Sequence, residues 1–114
     1  MSVKLNTRQV GDVAVVDVSG RVTLGEGSSA IRDAMRELTT KGTKKILLNL
    51  SAVTYLDSTG IGELVAGFTS AANAGGTVKL LGLTKHVKDV LMISRLYTVF
   101  EAYDDEATAL ASFA

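Results

Sequence analysis

The sequence predicts a single α/β domain over residues 1–114, with a mixed, mostly parallel sheet, an N-terminal antiparallel hairpin and four flanking helices. Three observations predict this fold class. Two strand-like runs at the N-terminus are separated only by Gly11-Asp12, which is typical of a tight hairpin because glycine accepts positive φ. The later apolar runs alternate with amphipathic stretches, as parallel strands do when helical crossovers join them. A length of 114 residues suits one domain with its own core.

The hairpin strands are predicted over residues 3–10 and 13–19, which are rich in Val, Leu and Thr, and Gly20 is expected to end the second strand. A first helix is predicted over residues 28–41, because apolar residues recur there at i, i+3, i+4 and i+7. The expected caps of this helix are Ser28 or Ser29 at its start and Gly42 after its end.

Further strands are predicted over residues 44–50, 78–81 and 99–103. The centres of the first two are continuously apolar, which is typical of strands covered on both faces. The helix between them is predicted to end at Gly75-Gly76, and its expected apolar face consists of Ile61, Leu64, Val65, Phe68 and Ala72. Two more helices are predicted over residues 85–93 and 104–113.

Composition excludes several classes of function. Twelve basic and twelve acidic residues balance, whereas nucleic-acid binders carry a basic surplus, so no direct nucleic-acid partner is expected. The chain has no cysteine, which excludes disulfides, thiolate catalysis and cysteine-ligated metals. Residues 1–6 lack the apolar segment of a signal peptide, and no apolar run approaches the roughly 20 residues of a membrane span. We therefore expect a cytoplasmic protein without a membrane span, a metal or a cofactor.

The polar run Asp57-Ser58-Thr59-Gly60 lies between a predicted buried strand and an amphipathic helix. Helix N-termini present free N–H groups and a positive dipole, so a hydroxyl here can carry a phosphate close to those donors. The same residue types are also the commonest helix caps, and capping alone explains them. Gly60 and Gly62 are less easily explained, because each glycine costs about 1 kcal/mol relative to alanine in a helix interior. Either a tight turn or close approach by another backbone or a partner would favour them.

The segment Leu56-Asp57-Ser58-Thr59-Gly60-Ile61-Gly62 resembles the signature of the STAS domain family, in particular the bacterial anti-sigma factor antagonists. Gly20-Arg21-Val22 and residues 75–81 are also similar to that family, and the order of elements agrees over essentially the whole chain. The resemblance implies a regulator and not an enzyme. Its unphosphorylated form would bind a partner that is both anti-sigma factor and serine/threonine kinase, and would free the sigma factor. Ser58, or alternatively Thr59, would accept the phosphate, and a PP2C-type phosphatase would remove it.

A partner-binding surface is predicted around Ser58. Its predicted members are Thr23, Leu24, Glu26, Asp57, Ser58, Thr59, Gly60, Gly62, Glu63 and Met92. Many relatives carry an aspartate soon after the Gly-Arg pair, whereas Glu26 comes later here. Glu63 and Gly67 are expected on the outward side of the helix after Ser58, where a solvated face is the simpler interpretation. Met92 serves either adaptable binding or core filling.

Enzymatic alternatives lack their residues. His86 is the one histidine and is expected on a helix surface, and no Gly-x-Ser-x-Gly elbow surrounds Ser58. A phosphoaspartate receiver would need an acidic pair after its first parallel strand, and none is present. The remaining alternative is a constitutive STAS scaffold or an accessory subunit of a stress-signalling or transport complex. The presence of both hydroxyls, on Ser58 and Thr59, favours the switch. The sequence does not predict an oligomeric state.

Overall fold

Five strands and four α-helices follow one another in the computed structural model, which describes residues 3–23, 25–98 and 100–113; the side chains of residues 26, 28 and 97 lie outside the description. The strands are β1 Val3–Val10, β2 Val13–Val22, β3 Lys45–Leu56, β4 Thr77–Leu81 and β5 Ala102–Tyr103. The helices are α1 Glu26–Thr40, α2 Ser58–Asn73, α3 Lys85–Ile93 and α4 Glu106–Ala111, and a short 3₁₀ turn covers Leu96–Thr98.

The strands form one sheet in the order β1-β2-β3-β4-β5. The first pair is antiparallel and the other three pairs are parallel. The hairpin closes between Val10 and Val13, and Gly11 takes the positive φ of 61° that the turn requires. The predicted mixed sheet with an N-terminal hairpin and four helices is therefore confirmed.

The two faces of the sheet are covered by different helices, which explains the continuous apolar run in β3. Ile46 and Leu48 face the larger core, formed with α1, α2 and α3, while Leu47 between them faces a smaller core closed by Ala109 of α4. Successive side chains of a strand point to opposite faces, so a strand with helices on both sides is apolar at every position. The expectation of a doubly covered strand is confirmed.

The strands that lead to the proposed site run further than predicted. β3 continues past residue 50 to Leu56, and β2 continues past Gly20 to Val22, because the two strands stay paired through the register shifts that follow Asp17 and Gly20. Gly20 does not end its strand; it takes a φ of 97° at the irregularity. The extra length carries both strands to the turn at Asp57.

Several helix details also differ from the prediction. α1 begins at Glu26 with Gly25 as its N-cap residue, so neither Ser28 nor Ser29 is the cap, whereas Gly42 follows the end as expected with a φ of 83°. α4 is shorter than residues 104–113, because Asp105 caps it through a 2.9 Å bond from the Thr108 N–H. The third parallel strand is reduced to Ala102–Tyr103, and Val99 of its predicted range lies outside the described residues. α3 has the predicted bounds.

Candidate functional site

The candidate site lies where β2 and β3 end and α2 begins. Arg21 pairs with Tyr55 and Val22 with Leu56 at the last positions of the two strands. The Asp57 N–H then donates to the Val22 carbonyl oxygen at 3.2 Å, which holds the turn after β3 against the end of β2. The position of the Ser58 turn is therefore set by the sheet and not by a free loop.

Asp57 is the N-cap of α2. Its backbone is extended, and its Oδ1 atom accepts the Gly60 N–H at 2.8 Å. The capping interpretation of this turn therefore holds for the aspartate, and the two hydroxyls are left for other roles. Ser58 is the first residue of the helix and is exposed, whereas Thr59 is half-buried. Ser58 is thus the more accessible acceptor of the two.

The two glycines of this turn differ in how closely other atoms approach them. A β-carbon at Gly60 would lie 2.5 Å from the Val22 carbonyl oxygen and 2.6 Å from the Leu56 Cδ1 atom, so the close approach is to the chain's own β2 strand. Gly62 is exposed, and a β-carbon there would meet no atom within 4 Å. The fold therefore requires glycine at position 60, while within the described residues it gives no steric reason for glycine at position 62.

The segment between β2 and α1 lies at the same end of the sheet. Gly27, in the first turn of α1, packs so closely that a β-carbon would lie 2.7 Å from the Arg21 carbonyl oxygen. Of the predicted partner residues here, Thr23 is half-buried next to the end of β2, and Glu26 opens α1. Leu24 and the Glu26 side chain lie outside the described residues.

The prediction that Glu63 and Gly67 lie on the outward side of α2 is wrong for both residues. Gly67 is buried, because α1 crosses there and the Met35 Cγ atom would lie 3.0 Å from a β-carbon at Gly67. The Glu63 side chain is only 18% exposed, and its Oε2 atom lies 3.5 Å from an Arg32 guanidinium nitrogen of α1. The predicted apolar face changes accordingly: Ala72 is exposed, and Ala71 is buried in its place.

His86 is not a simple surface residue, which corrects a second expectation. Its Nε2 atom lies 3.2 Å from the Leu56 N–H nitrogen, within hydrogen-bond distance. Its ring stacks on Tyr55 with the centroids 4.9 Å apart, and the Arg21 guanidinium carbon lies 4.5 Å from the centroid of the same tyrosine. These contacts join α3 to the ends of β2 and β3 immediately before Asp57.

Ser58 opens onto a hollow of ≈ 330 Å³ beside this stack. The residues that line the hollow are Tyr55, Leu56, Ser58, Ile61, His86, Val90, Ile93 and Ser94. Met92, predicted to be either a contact or a core residue, is exposed at the end of α3. The sequence reasoning missed Tyr55 and the contacts of His86, because the stack depends on β3 reaching residue 56 and on α3 packing over it.

The arrangement presents one accessible hydroxyl at a capped helix N-terminus, beside an apolar hollow. Within residues 3–23, 25–98 and 100–113 no group of three histidine, aspartate or glutamate side chains could hold a metal ion. In the same part of the chain, no helix has the length and apolarity needed to cross a bilayer. The geometry suits modification of Ser58 and contact with another protein.

Comparison with known proteins gives the family of the domain. The family model of the STAS domain matches residues 4–109. The TM1081 homolog of Thermotoga neapolitana, a protein named as an anti-sigma factor antagonist, is 36% identical over 74 residues, which are 65% of this chain and 66% of that relative.

Two solved structures share the fold. An anti-sigma factor antagonist from Mycobacterium paratuberculosis superposes with a TM-score of 0.87 at 22% identity, over 97% of this chain and 93% of that one. SpoIIAA, a Bacillus cell fate determinant solved in its phosphorylated form, superposes with a TM-score of 0.77 at 18% identity, over 97% of this chain and all of that one (100%).

Proposed function

The chain belongs to the STAS domain family, and from this we propose that it is an anti-sigma factor antagonist controlled by phosphorylation of Ser58. In its unphosphorylated form it binds an anti-sigma factor with serine/threonine kinase activity and releases the sigma factor. A phosphate on Ser58 ends this binding, and a PP2C-type phosphatase restores it. The protein works in the cytoplasm, by binding and not by catalysis. The relatives named as anti-sigma factor antagonists support the class of partner.

One observation carries the choice of Ser58. It is the exposed first residue of α2, and the capping bond of this helix is made by Asp57, whose Oδ1 atom accepts the Gly60 N–H. A kinase can therefore reach the hydroxyl without unwinding the helix. Thr59 is half-buried and would need a larger rearrangement, so it is the secondary candidate.

The electrostatics of this position suit a reversible switch. A phosphate adds a charge of about −1.5 to −2, and the dipole of α2 stabilises an anion at its N-terminus, so the modified chain stays folded. In a complex the same dianion would lose water next to the Asp57 carboxylate, which is costly without a cation to pair with it. A coupling of about 1–3 kcal/mol is enough to change affinity roughly 5- to 150-fold.

The remaining partner surface follows from exposure. Gly62 and Met92 are exposed and can touch a partner directly, and Thr23 is half-buried just after the end of β2. Glu63 can contribute only after leaving Arg32. Asp57 and Gly60 act by holding the turn in place.

The proposal is tested by the phosphorylation state and by three variants. Mass spectrometry of the chain from its native cells should find a phosphate on Ser58 that phosphatase treatment removes. We expect the unphosphorylated wild-type chain and Ser58→Ala to bind the modifying kinase with similar, tight affinity. Ser58→Asp should bind it at least fivefold more weakly. Thr59→Ala is the matched control and should still be phosphorylated. Equal affinity of all three forms, with no phosphate under several growth conditions, would favour the constitutive scaffold or transport-complex subunit instead.

A further inference from the structure

A few large apolar side chains remain exposed near the ends of β3 and α3. Among the described residues they are Tyr55, 38% exposed, Met92, 59% exposed, and Ile93, 84% exposed. Tyr55 is near the end of β3, and the other two are the last residues of α3. Single exposed apolar residues need no explanation, but a group of them marks an interaction site.

The end of α3 stands between two hollows. On one side is the hollow of ≈ 330 Å³ that Ser58, Tyr55 and Ile93 line together. On the other side is a second hollow of ≈ 170 Å³, lined by Leu83, Lys88, Leu91, Met92, Phe100 and Ala102. We call Met92 and Ile93, with the two hollows, the α3 ridge. A partner that covers it can bury apolar side chains on both sides, and one side is continuous with the Ser58 turn.

Three cationic side chains lie at the α3 ridge. The Arg21 guanidinium lies over Tyr55, Lys88 lines the second hollow, and Arg95 is exposed just beyond the end of α3. The carboxylates nearby face lysines: Asp89 of α3 lies 3.1 Å from Lys85, and Glu101, next to the second hollow, lies 3.6 Å from the Lys79 Nζ atom. A surface of this kind fits a segment that carries acidic residues beside its apolar ones.

We propose that the α3 ridge is the anchor of the partner interface, and that it takes an acidic segment with apolar side chains from the same protein that binds the Ser58 turn. The inference rests on the proposed function and adds the partner's chemistry to it. Ser58 shares a hollow with Ile93, so a phosphate on Ser58 places its charge against the apolar segment that the ridge accepts. The anchor and the switch therefore occupy one site.

A photo-crosslinker placed in the ridge tests this in native cells. Ile93→p-benzoylphenylalanine is introduced together with Ser58→Ala, and Ala72→p-benzoylphenylalanine, at an exposed position of α2, is the control. We expect the first chain to capture one protein through a peptide with acidic and apolar residues, and to lose most of that product when Ser58→Asp replaces Ser58→Ala. The control should capture none of it.

The other outcomes separate the inference from the proposed function. If a protein binds Ser58→Ala but not Ser58→Asp and never crosslinks at position 93, the ridge is not the anchor and the proposed function stands. The inference is also overturned if the protein crosslinks equally well in the Ser58→Ala and Ser58→Asp chains, or if the crosslinked peptide has no acidic residues. If no protein distinguishes Ser58→Ala from Ser58→Asp, both fall.

Affinity measurements with the captured protein provide a second, quantitative test. Ile93→Ser and Lys88→Glu should each weaken its binding about tenfold, as truncation or charge reversal at the centre of an interface does. Lys41→Glu reverses the same charge beyond the end of α1, where its exposed pair with Glu37 at 3.9 Å contributes little, and should change affinity less than about twofold. Equal effects of Lys88→Glu and Lys41→Glu would contradict the predicted charge complementarity.

Discussion

Whether a glycine of the Ser58 turn can be replaced depends on the atoms that lie next to it. The two glycines of α2's first turn differ by the space beside them: the Val22 carbonyl oxygen occupies it at Gly60, whereas at Gly62 no atom of the described residues lies within 4 Å of a β-carbon. A methyl group at position 60 would therefore clash with β2, whereas one at position 62 would not. The turn combines one position fixed by the fold with another that the fold leaves open.

We expect Gly60→Ala to destabilise the fold by about 1–3 kcal/mol, because the new methyl would lie 2.5 Å from a backbone oxygen that cannot move without shifting β2. Gly62→Ala, the matched control, should stabilise it by up to about 1 kcal/mol through helix propensity. Urea denaturation of both variants measures the difference. If Gly62→Ala also weakens binding of the partner, that glycine serves the interface; similar stabilities of the two variants would contradict the packing argument.

At the scale of elements, one guanidinium links β1 to both β2 and α4. Arg8 of β1 bonds to Asp17 of β2 at 2.7 and 3.1 Å and to Glu106 of α4 at 2.7 and 2.9 Å. Hydrogen bonds from Arg8 hold the pKa values of the Asp17 and Glu106 carboxyls below their usual ranges. The charge network thereby joins the hairpin to the last helix.

These lowered pKa values predict how stability depends on pH. A carboxyl whose pKa is lower in the folded chain contributes stability above its unfolded pKa, near pH 4, and that contribution is lost as the pH falls through the folded pKa. Arg8→Met should therefore reduce stability at pH 7 by roughly 1 kcal/mol or less per exposed pair, and the difference from wild type should vanish in strong acid. Denaturant melts from pH 7 to pH 2 measure it. Arg36→Met, at an exposed position of α1, is the control and should leave the pH profile unchanged.

A second contact of α4 is made by a buried lysine. Lys79 of β4 is only 7% exposed, and its Nζ atom donates to the Ser112 carbonyl oxygen at 2.9 Å and to the Ser112 hydroxyl at 3.0 Å. The same nitrogen lies 4.8 Å from the centroid of the Phe113 ring. Together these contacts hold the chain after α4 against the sheet.

Lys79→Met keeps the apolar stem but removes the donors, so we expect a loss of about 1–3 kcal/mol, felt mostly in α4. Hydrogen exchange should become faster for the amides of α4 and stay unchanged in the first turn of α2. A uniform increase across the chain would show that α4 does not open separately from the rest.

The bounds of α3 were predictable from its own residues, whereas the end of β3 and the burial of Gly67 depend on neighbouring elements. α3 has the predicted bounds, because Thr84 caps it locally and its apolar spacing is regular. The end of β3 depends on pairing with β2, and Gly67 is buried only because Met35 of α1 lies over it. The Ser58 turn was found from its local residue types, while His86 was missed because the backbone that it contacts is 30 positions away in sequence.

For the whole molecule, the proposed switch is local. Asp57 is fixed to β2 through its N–H and to α2 through its side chain, so a charge at position 58 is added to a turn that is held on both sides. The proposed loss of partner binding then comes from repulsion and poor fit at the surface, with the rest of the fold unchanged.

We therefore expect Ser58→Asp to leave the melting temperature unchanged or slightly higher, because an acidic residue in the first turn of a helix is favourable by about 0.3–1 kcal/mol. Amide chemical shifts should move only around residues 55–62 and 86–93. Ser58→Ala should move fewer of them, since it adds no charge. Shifts spread across β1 and α4 would instead indicate a global conformational change.

The hydrogen bond from the Asp57 N–H to Val22 has one more consequence, which concerns how a modifying enzyme would recognise its substrate. Strand β2, 35 positions earlier in the chain, holds the turn in shape, so a synthetic peptide covering only the turn would lack that shape. The proposed kinase would then recognise a folded surface and not a linear sequence motif. Modification of Ser58 would thus also report on folding: a misfolded copy would go unmodified, and it would also be unable to release a sigma factor.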